Sequence, residues 1–396
     1  MFEKIEFAPA DPILGLNEAF RADPRNDKVN LGVGVYKDEA GQTPVLNCVK
    51  QAEARILADQ QSKSYLGIDG HVQYRALVQP LLLGEAHPVL ATKRAHTIQA
   101  PGGTGALRIA GDFIASCLGG KKVWISNPSW ANHRGIFETA GLEVGEYRYY
   151  DAAAKALNFD AMLADLDQLG ADDVVILHGC CHNPSGIDPT LAQWQLLAQS
   201  AKRNGWLPLF DFAYQGFAQD VESDAAGLRH FASELPELLV ANSFSKNFGL
   251  YNERIGALTV IAAEQEGADR ALSQVKRIVR ANYSNPPSHG AEVVATILAC
   301  PQLKALWLEE LAQMCLRIRR MRTELADGLL AAGVAGDFSF IEAQNGMFSF
   351  SGLNKAQVAR LKEEFGIYIV GSGRINVAGL TPDNLPKIIQ AIAAVS

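Results

Sequence analysis

Cysteine is scarce in this chain. Its six, Cys48, Cys117, Cys180, Cys181, Cys300 and Cys315, are too few and too irregularly spaced among 396 residues to form the disulfide framework of a small secreted domain. A reduced, cytoplasmic setting is the expectation. Long apolar runs are missing as well: none approaches the roughly 18 residues needed to span a bilayer. The opening Met1-Phe2-Glu3-Lys4-Ile5-Glu6 has no basic stretch leading into an apolar core, so a soluble, unprocessed chain is expected. Basic clusters are absent too, with 36 Lys and Arg against 43 Asp and Glu and a formal net charge of -7. That argues against nucleic acid as the main partner, because such binding rests on clustered cations meeting phosphates. An anionic ligand must therefore be recognised by local positive charge. No repeat, low-complexity tract or flexible linker stands out. What remains is an ordinary globular composition, 48% hydrophobic and 20% charged, long enough for two domains.

From about residue 97 to 262 short apolar runs alternate with helical patterns. The runs are 97–100, 122–126, 174–177, 207–210, 238–240 and 257–261. Such alternation predicts an α/β domain with a mostly parallel sheet. Ligands of such sheets sit beyond the carboxyl ends of the strands. There the sequence turns polar: Gly102-Gly103-Thr104-Gly105, Asn127-Pro128-Ser129-Trp130, His182-Asn183-Pro184-Ser185-Gly186, Asp211-Phe212-Ala213-Tyr214 and Ser243-Phe244-Ser245-Lys246. Further on, Leu303, Trp307, Leu311, Met314, Ile318, Met321, Leu325 and Leu329 recur at steps of three or four, which predicts one long amphipathic helix. Short strands at 347–350 and 367–370 then suggest a smaller α+β domain that recruits part of the N-terminal segment.

Each polar segment has an ordinary reading beside a chemical one. A lone lysine is commonly a solvated surface residue. Lys246, however, follows an apolar run, and a lysine held at a strand end can be partly deprotonated and form a Schiff base with a carbonyl. Ser243, Ser245 and Arg254 add hydroxyls and a fixed cation suited to a phosphate. Asp211 could cap a helix; alternatively, a buried carboxylate there could keep a ring nitrogen protonated, with Tyr214 bonding another ring substituent. The Gly102–Arg108 stretch opens a helix whose N-terminus favours an anion, yet it matches neither G-x-G-x-x-G nor the P-loop. His178, Cys180 and His182 would share one strand face by period two and invite a metal, but structural zinc sites usually pair ligand groups across a loop. No metal is assigned. Arg280 and Arg374 are ordinary surface or dipole-capping candidates, although two guanidinium forks would suit a dicarboxylate. Serine hydrolase chemistry lacks its G-x-S-x-G.

Taken together, the N-P-x-G, D-x-A-Y, S-x-S-K and S-G-R segments, with Asp11-Pro12-Ile13-Leu14-Gly15-Leu16, the run from Asn30 to Asp38, and Val377-Ala378-Gly379, resemble a known family. It is the class I, fold-type I aminotransferases that use pyridoxal 5'-phosphate, in their bacterial aspartate and aromatic amino acid branch. The likeness covers essentially the whole chain; Ser185 stands where the family commonly has Thr.

The resemblance implies a large domain over 46–310 with a mostly parallel seven-stranded sheet sandwiched by helices. It further implies a small α+β domain from 15–45 and 311–396, and an arm, 1–14, reaching a partner subunit. Lys246 would hold the cofactor covalently and move the Cα proton, Asp211 would pair with the pyridine nitrogen, and Tyr214 and Asn183 would bond the ring oxygen. Gly103, Thr104, Ser243 and Arg254 would take the phosphate, joined by Tyr65 of the partner, and Trp130 would stack on the ring. Arg374 would clamp the substrate α-carboxylate, with Gly34, Trp130 and Asn183 nearby, and the partner's Arg280 would meet the distal one. The implied reaction is ping-pong transfer from L-aspartate to 2-oxoglutarate in a homodimer with shared sites. An aromatic amino acid aminotransferase is the alternative, against which Val35, Lys37, Thr43 and Asn285 look closer to the aspartate type. A catalytically silent cofactor-binding protein is the non-enzymatic one.

Overall fold

The computed structural model describes residues 1–7 and 14–396, so 8–13 of the expected arm, and Asp11-Pro12-Ile13, lie outside the described residues. The central sheet has seven strands: β1 (Ala95–Pro101), β2 (Lys122–Asn127), β3 (Val144–Arg148), β4 (Asp173–His178), β5 (Leu207–Phe212), β6 (Leu238–Ser243) and β7 (Ile255–Ile261). Their order is β1-β7-β6-β5-β4-β2-β3. Strand β7 runs antiparallel to both neighbours and every other pair is parallel, as the alternation predicts. Strands β6 and β7 are buried at every residue, which is why they read as continuous apolar runs rather than alternating ones. Strand β3, Val-Gly-Glu-Tyr-Arg, buries only Tyr147 and carries no such signal.

Helix α1 (Gly102–Cys117) leaves β1 without a connecting residue and buries Ala106, Leu107, Ile109, Ala110, Phe113 and Ile114 in the core beneath the sheet. Others used below are α2 (Asn132–Thr139), α3 (Leu191–Asn204), α4 (Gln265–Asn282) and α5 (Pro301–Ala331). The last is the expected long helix, unbroken over 31 residues and so about 46 Å long at 1.5 Å per residue. Among the described residues no single helix is long and apolar enough to cross a membrane.

Two compact units divide the chain: 44–183 with 187–316, and 1–43 with 184–186 and 317–396. The first contains the seven-stranded sheet. In the second, Val29–Asn30 pairs parallel with Ile367–Tyr368, and Phe348–Phe350 pairs antiparallel with Arg374–Asn376. N-terminal residues thus supply a strand to a sheet completed more than 330 residues later.

Candidate active site

Register brings the polar segments of the larger unit together. His178 lies opposite Asp211, Asp211 opposite Ala241, and Phe212 opposite Asn242, so β4, β5 and β6 end side by side. Because β7 runs the other way, its first residues start at that same end, with Ile255 beside Pro101 and Gly256 between Ala100 and Ser243. The start of α1, Ser243 and Arg254 therefore share one rim of the sheet.

Glycines let the backbones close there. Gly102 has φ +73, and a Cβ on it would lie 2.4 Å from Nη2 of Arg254. On Gly103 a Cβ would come within 3.2 Å of the Ser243 Cβ. Gly256, not among the sequence candidates, is tighter still: its Cβ would sit 2.6 Å from the carbonyl oxygen of Asn242 and from the carbonyl carbon of Gly102. Ser243 Oγ donates to Ser245 Oγ at 3.1 Å and accepts the Ser245 N–H at 3.2 Å. Ser245 thus orients the Ser243 hydroxyl. Arg254, itself at φ +53, donates from Nη1 to the Tyr251 carbonyl at 3.2 Å. A helix N-terminus at Gly103 and Thr104, a hydroxyl and a guanidinium in one cradle suit a phosphate dianion.

Lys246 sits on a loop that is fixed from below. Phe248 stacks on Trp307 of α5 at 4.4 Å and 17°, both fully buried, and Phe244 meets Phe248 edge-on at 5.4 Å. Asn247 Nδ2 donates to the Gln215 carbonyl at 3.1 Å, and Trp307 Nε1 donates to the Asn247 carbonyl at 2.7 Å. These anchors flank the lysine on both sides and leave it half-buried, its Nζ 4.8 Å from the centre of the Tyr214 ring.

Asp211 is buried at the end of β5, with Oδ2 2.8 Å from Nε2 of the fully enclosed His133. Ser129 Oγ lies 2.8 Å from the other ring nitrogen. Since an ionised carboxylate only accepts, Nε2 carries the proton. Burial, the largest influence on Asp211, pushes its pKa up, but the hydrogen bond and charge of His133, with His178 and Lys246, outweigh it and hold the group below the usual carboxylate range. His178 packs 5.2 Å from the His133 ring, and burial, aided by His133, pulls it down to about 3. His182 is driven well below its ordinary value, first by burial; it stacks on Tyr149 at 3.8 Å, with Nε2 2.9 Å from Ser126 Oγ. Two imidazoles held neutral, those of His178 and His182, thus lie behind one anionic carboxylate.

His133 and Ser129 were not among the sequence candidates. Only their spacing of four, a residue apart from the Trp130 already named, hinted at a shared face. The expectation that His178, Cys180 and His182 share a strand face is not met, because β4 ends at His178 and Cys181 adopts φ +52. His178 goes with His133 and Asp211, whereas Cys180 goes with Cys181 and Asp224.

Of the remaining candidates in this unit, Trp130 lies half-buried and edge-on to His133 at 5.2 Å, and Asn183 and Tyr214 are buried. Tyr65 is 91% exposed, and Arg280, near the end of α4, is exposed and bonded to Ser284. In the smaller unit Arg374 is buried, donates to the Gly32 carbonyl at 2.6 Å and lies 4.1 Å over the Phe348 ring. A Cβ on Gly34 would meet that same ring at 2.6 Å.

Residues 26–392 match the family model described as aminotransferase class I and II. The chain is 60% identical over 395 residues to the aspartate aminotransferase of Escherichia coli K12, covering all of both. It is 50% identical over 394 residues to the aromatic-amino-acid aminotransferase of Pseudomonas aeruginosa, covering all of this chain and 98% of that one. Among solved structures, the aromatic-amino-acid aminotransferase of Burkholderia pseudomallei, covalently bound to pyridoxal phosphate, superimposes with a TM-score of 0.97 at 52% identity, over 100% of this chain and 99% of that one.

Proposed function

The chain belongs to the class I and II aminotransferases, and from that premise we propose that it transfers the amino group of L-aspartate to 2-oxoglutarate, giving oxaloacetate and L-glutamate. It is an enzyme of the pyridoxal-phosphate-dependent transaminase type. The observation that carries the reading is the rim of the larger unit, where a lysine on an anchored loop, a buried anionic Asp211 and a glycine-lined cradle meet on one sheet end. The donor set fits the cofactor: the missing Cβ atoms of Gly102 and Gly103 let Arg254 and Ser243 close on the start of α1, where they would supply a phosphate's charge and hydrogen bonds.

In this reading Gly103, Thr104, Ser243 and Arg254 hold the phosphate, while Asn183 and Tyr214 bond the ring oxygen. Trp130 covers the ring face. When bound, the cofactor supplies a protonated ring that takes up the electron pair left at the substrate Cα. Asp211 keeps the ring nitrogen protonated because its own proton is held off by His133. Lys246 would hold the cofactor, and its Nζ, once free, would accept the Cα proton and return it on the other side of the reaction. Arg374 takes the α-carboxylate as a planar fork, and Gly34, on which a Cβ would meet the Phe348 ring, lets that ring pack under the guanidinium. Tyr65 and Arg280 serve the site of a second copy.

A preference for aspartate over aromatic substrates is supported by the higher identity to the aspartate enzyme and by Val35, Lys37, Thr43 and Asn285. A silent cofactor binder is expected to have lost Lys246, Asp211 or Arg374, and all three are present. A cytoplasmic setting belongs to the same reading, supported by the sparse cysteines, none of which forms a disulfide. The test is kcat/KM for aspartate and for phenylalanine with 2-oxoglutarate as acceptor, together with parallel double-reciprocal lines. A higher value for phenylalanine reverses the assignment, and intersecting lines remove the ping-pong scheme.

A further inference from the structure

We propose that Cys180, Cys181 and Asp224 form a site for one thiophilic divalent cation, zinc or cadmium, distinct from the residues assigned to transamination. All three are buried, and their two sulfurs and a carboxylate oxygen lie within 4.8 Å of one another. Around tetrahedral zinc, with bonds of about 2.0–2.3 Å, such atoms stand roughly 3.5–3.8 Å apart, so closing the site needs movements of about 1 Å at most.

The backbone explains how neighbouring cysteines come to face one carboxylate. Along a strand, successive side chains point to opposite faces. Here β4 has ended and Cys181 takes φ +52, a left-handed turn that non-glycine residues rarely adopt. Asp188 secures that turn: its Oδ2 accepts the Cys181 N–H at 2.8 Å and its Oδ1 the His182 N–H at 2.9 Å.

Asp224 is held with equal firmness. Its Oδ2 accepts the N–H groups of Gly216 and Ala218 at 2.8 and 3.0 Å, and its Oδ1 that of Gln219 at 2.8 Å. A carboxylate has about four acceptor positions, so three fixed bonds still leave one for a metal. Metal-ligating carboxylates characteristically have this kind of supporting shell. Cys315 Sγ, donating to the Phe217 carbonyl at 3.4 Å, borders the same turn. Two thiolates select zinc or cadmium over magnesium or calcium.

On binding, two S–H bonds break, two metal–sulfur bonds form and two protons pass to solvent, with no change of oxidation state. An ion here would tie the Cys181 turn, two residues before Asn183, to the Gly216 turn, two residues after Tyr214. Those are the segments that carry the proposed ring-oxygen donors.

The experiment uses the holoenzyme, reduced, stripped with a chelator and titrated with cadmium while the ultraviolet thiolate-to-cadmium charge-transfer band is followed. The expected result is saturation at one cadmium per chain. The band should vanish in the Cys180→Ser/Cys181→Ser variant and persist in Cys117→Ser/Cys300→Ser, which removes the two least buried thiols. No band in the unaltered protein, or a band that survives loss of Cys180 and Cys181, overturns the proposal. Should the variant not fold, zinc K-edge absorption on the unaltered holoenzyme decides. Two sulfurs with oxygen support the site, whereas nitrogen ligation without sulfur assigns the ion to His133, His178 and Asp211 and overturns it.

Discussion

His133 Nε2 lies 2.8 Å from Oδ2 of Asp211, with the imidazole wholly enclosed and its other nitrogen 2.8 Å from Ser129 Oγ. The two residues are 78 positions apart and come from different element types, a strand end and the second residue of α2. Their contact lowers the pKa of a buried carboxylate that burial alone would raise. With Asp211 paired to the ring nitrogen as proposed, His133 would act through it as a positioning residue.

Replacing it tests that role. A hydrogen bond to a charged group contributes about 1.5–3 kcal/mol, so His133→Phe should lower kcat/KM for aspartate roughly 10- to 100-fold. His133→Asn, which can still donate to Asp211, should recover much of the loss. The acid limb of the pH–rate profile should move upward in the Phe variant, since Asp211 loses the influence that lowers its pKa. An unchanged profile would leave His133 as packing only.

The buried imidazoles set the stability towards acid. A histidine whose folded pKa is depressed takes its proton first in the unfolded chain, so lowering the pH favours unfolding. For His178 the window runs from about 6.5 down to about 3, and His182 acts in the same direction. Each contributes a slope of up to about 1.4 kcal/mol per pH unit. Asp224, which burial raises to about 6, works oppositely over part of that range, because its folded carboxyl binds a proton before the unfolded one does. The two imidazoles outweigh it, and the melting temperature should fall steadily as the pH drops below about 6.5. Neither ring nitrogen of His178 has a hydrogen-bond partner among the described residues, so His178→Leu should be tolerated and should flatten the slope.

Much of the candidate site was legible because strand-end chemistry follows local sequence. Asp211, Ser243, Lys246 and the glycines opening α1 each lie at or within a few residues of the end of an apolar run, and the register aligns those strand ends. Six of the seven strands were legible for the same reason, while β3 was not, since only Tyr147 in it is buried. His133 was invisible because it lies within a short helix and acquires its role only by packing across to β5. The pairing of Cys180 with Cys181 was hidden too, because period two holds only while the strand continues.

Gly256 should be the least replaceable glycine of the rim. A Cβ there would stand 2.6 Å from two backbone atoms, which cannot rotate away as a side chain can. Gly256→Ala should cost about 1–3 kcal/mol or more and weaken retention of the cofactor, because the strained strand start adjoins Arg254. Gly119 gives the contrast: its φ is +81 with nothing within 4 Å, so Gly119→Ala should cost only about 1 kcal/mol in backbone strain. Melting temperatures and cofactor absorbance after dialysis of both variants check the difference.

Arg374→Lys should separate charge from shape. The guanidinium is held by the Gly32 carbonyl at 2.6 Å and by the Phe348 ring at 4.1 Å, which fixes its plane. Lysine keeps the charge but loses the fork, so kcat/KM for aspartate should fall on the order of 100-fold, mostly through KM. Thermal stability should change far less. A loss confined to stability would mean that Arg374 is structural.

The exposed pair Tyr65 and Arg280 makes the sharpest test of a shared site. Tyr65 is 91% exposed and Arg280 lies on the open side of α4, odd positions for groups that are to touch cofactor and substrate within their own chain. If Arg280 serves a second copy, subunits carrying Lys246→Ala and Arg280→Ala, each nearly inactive as a homodimer, should complement when mixed. In the hybrid, one site collects both defects and the other collects neither. Random pairing makes half the dimers hybrid, each with one intact site of two, so activity should return to about a quarter of the unaltered level. Were Arg280 to serve its own chain, each hybrid site would contain one defect and mixing would restore nothing. The assay is aspartate turnover after subunit exchange, with each unmixed variant as its own control.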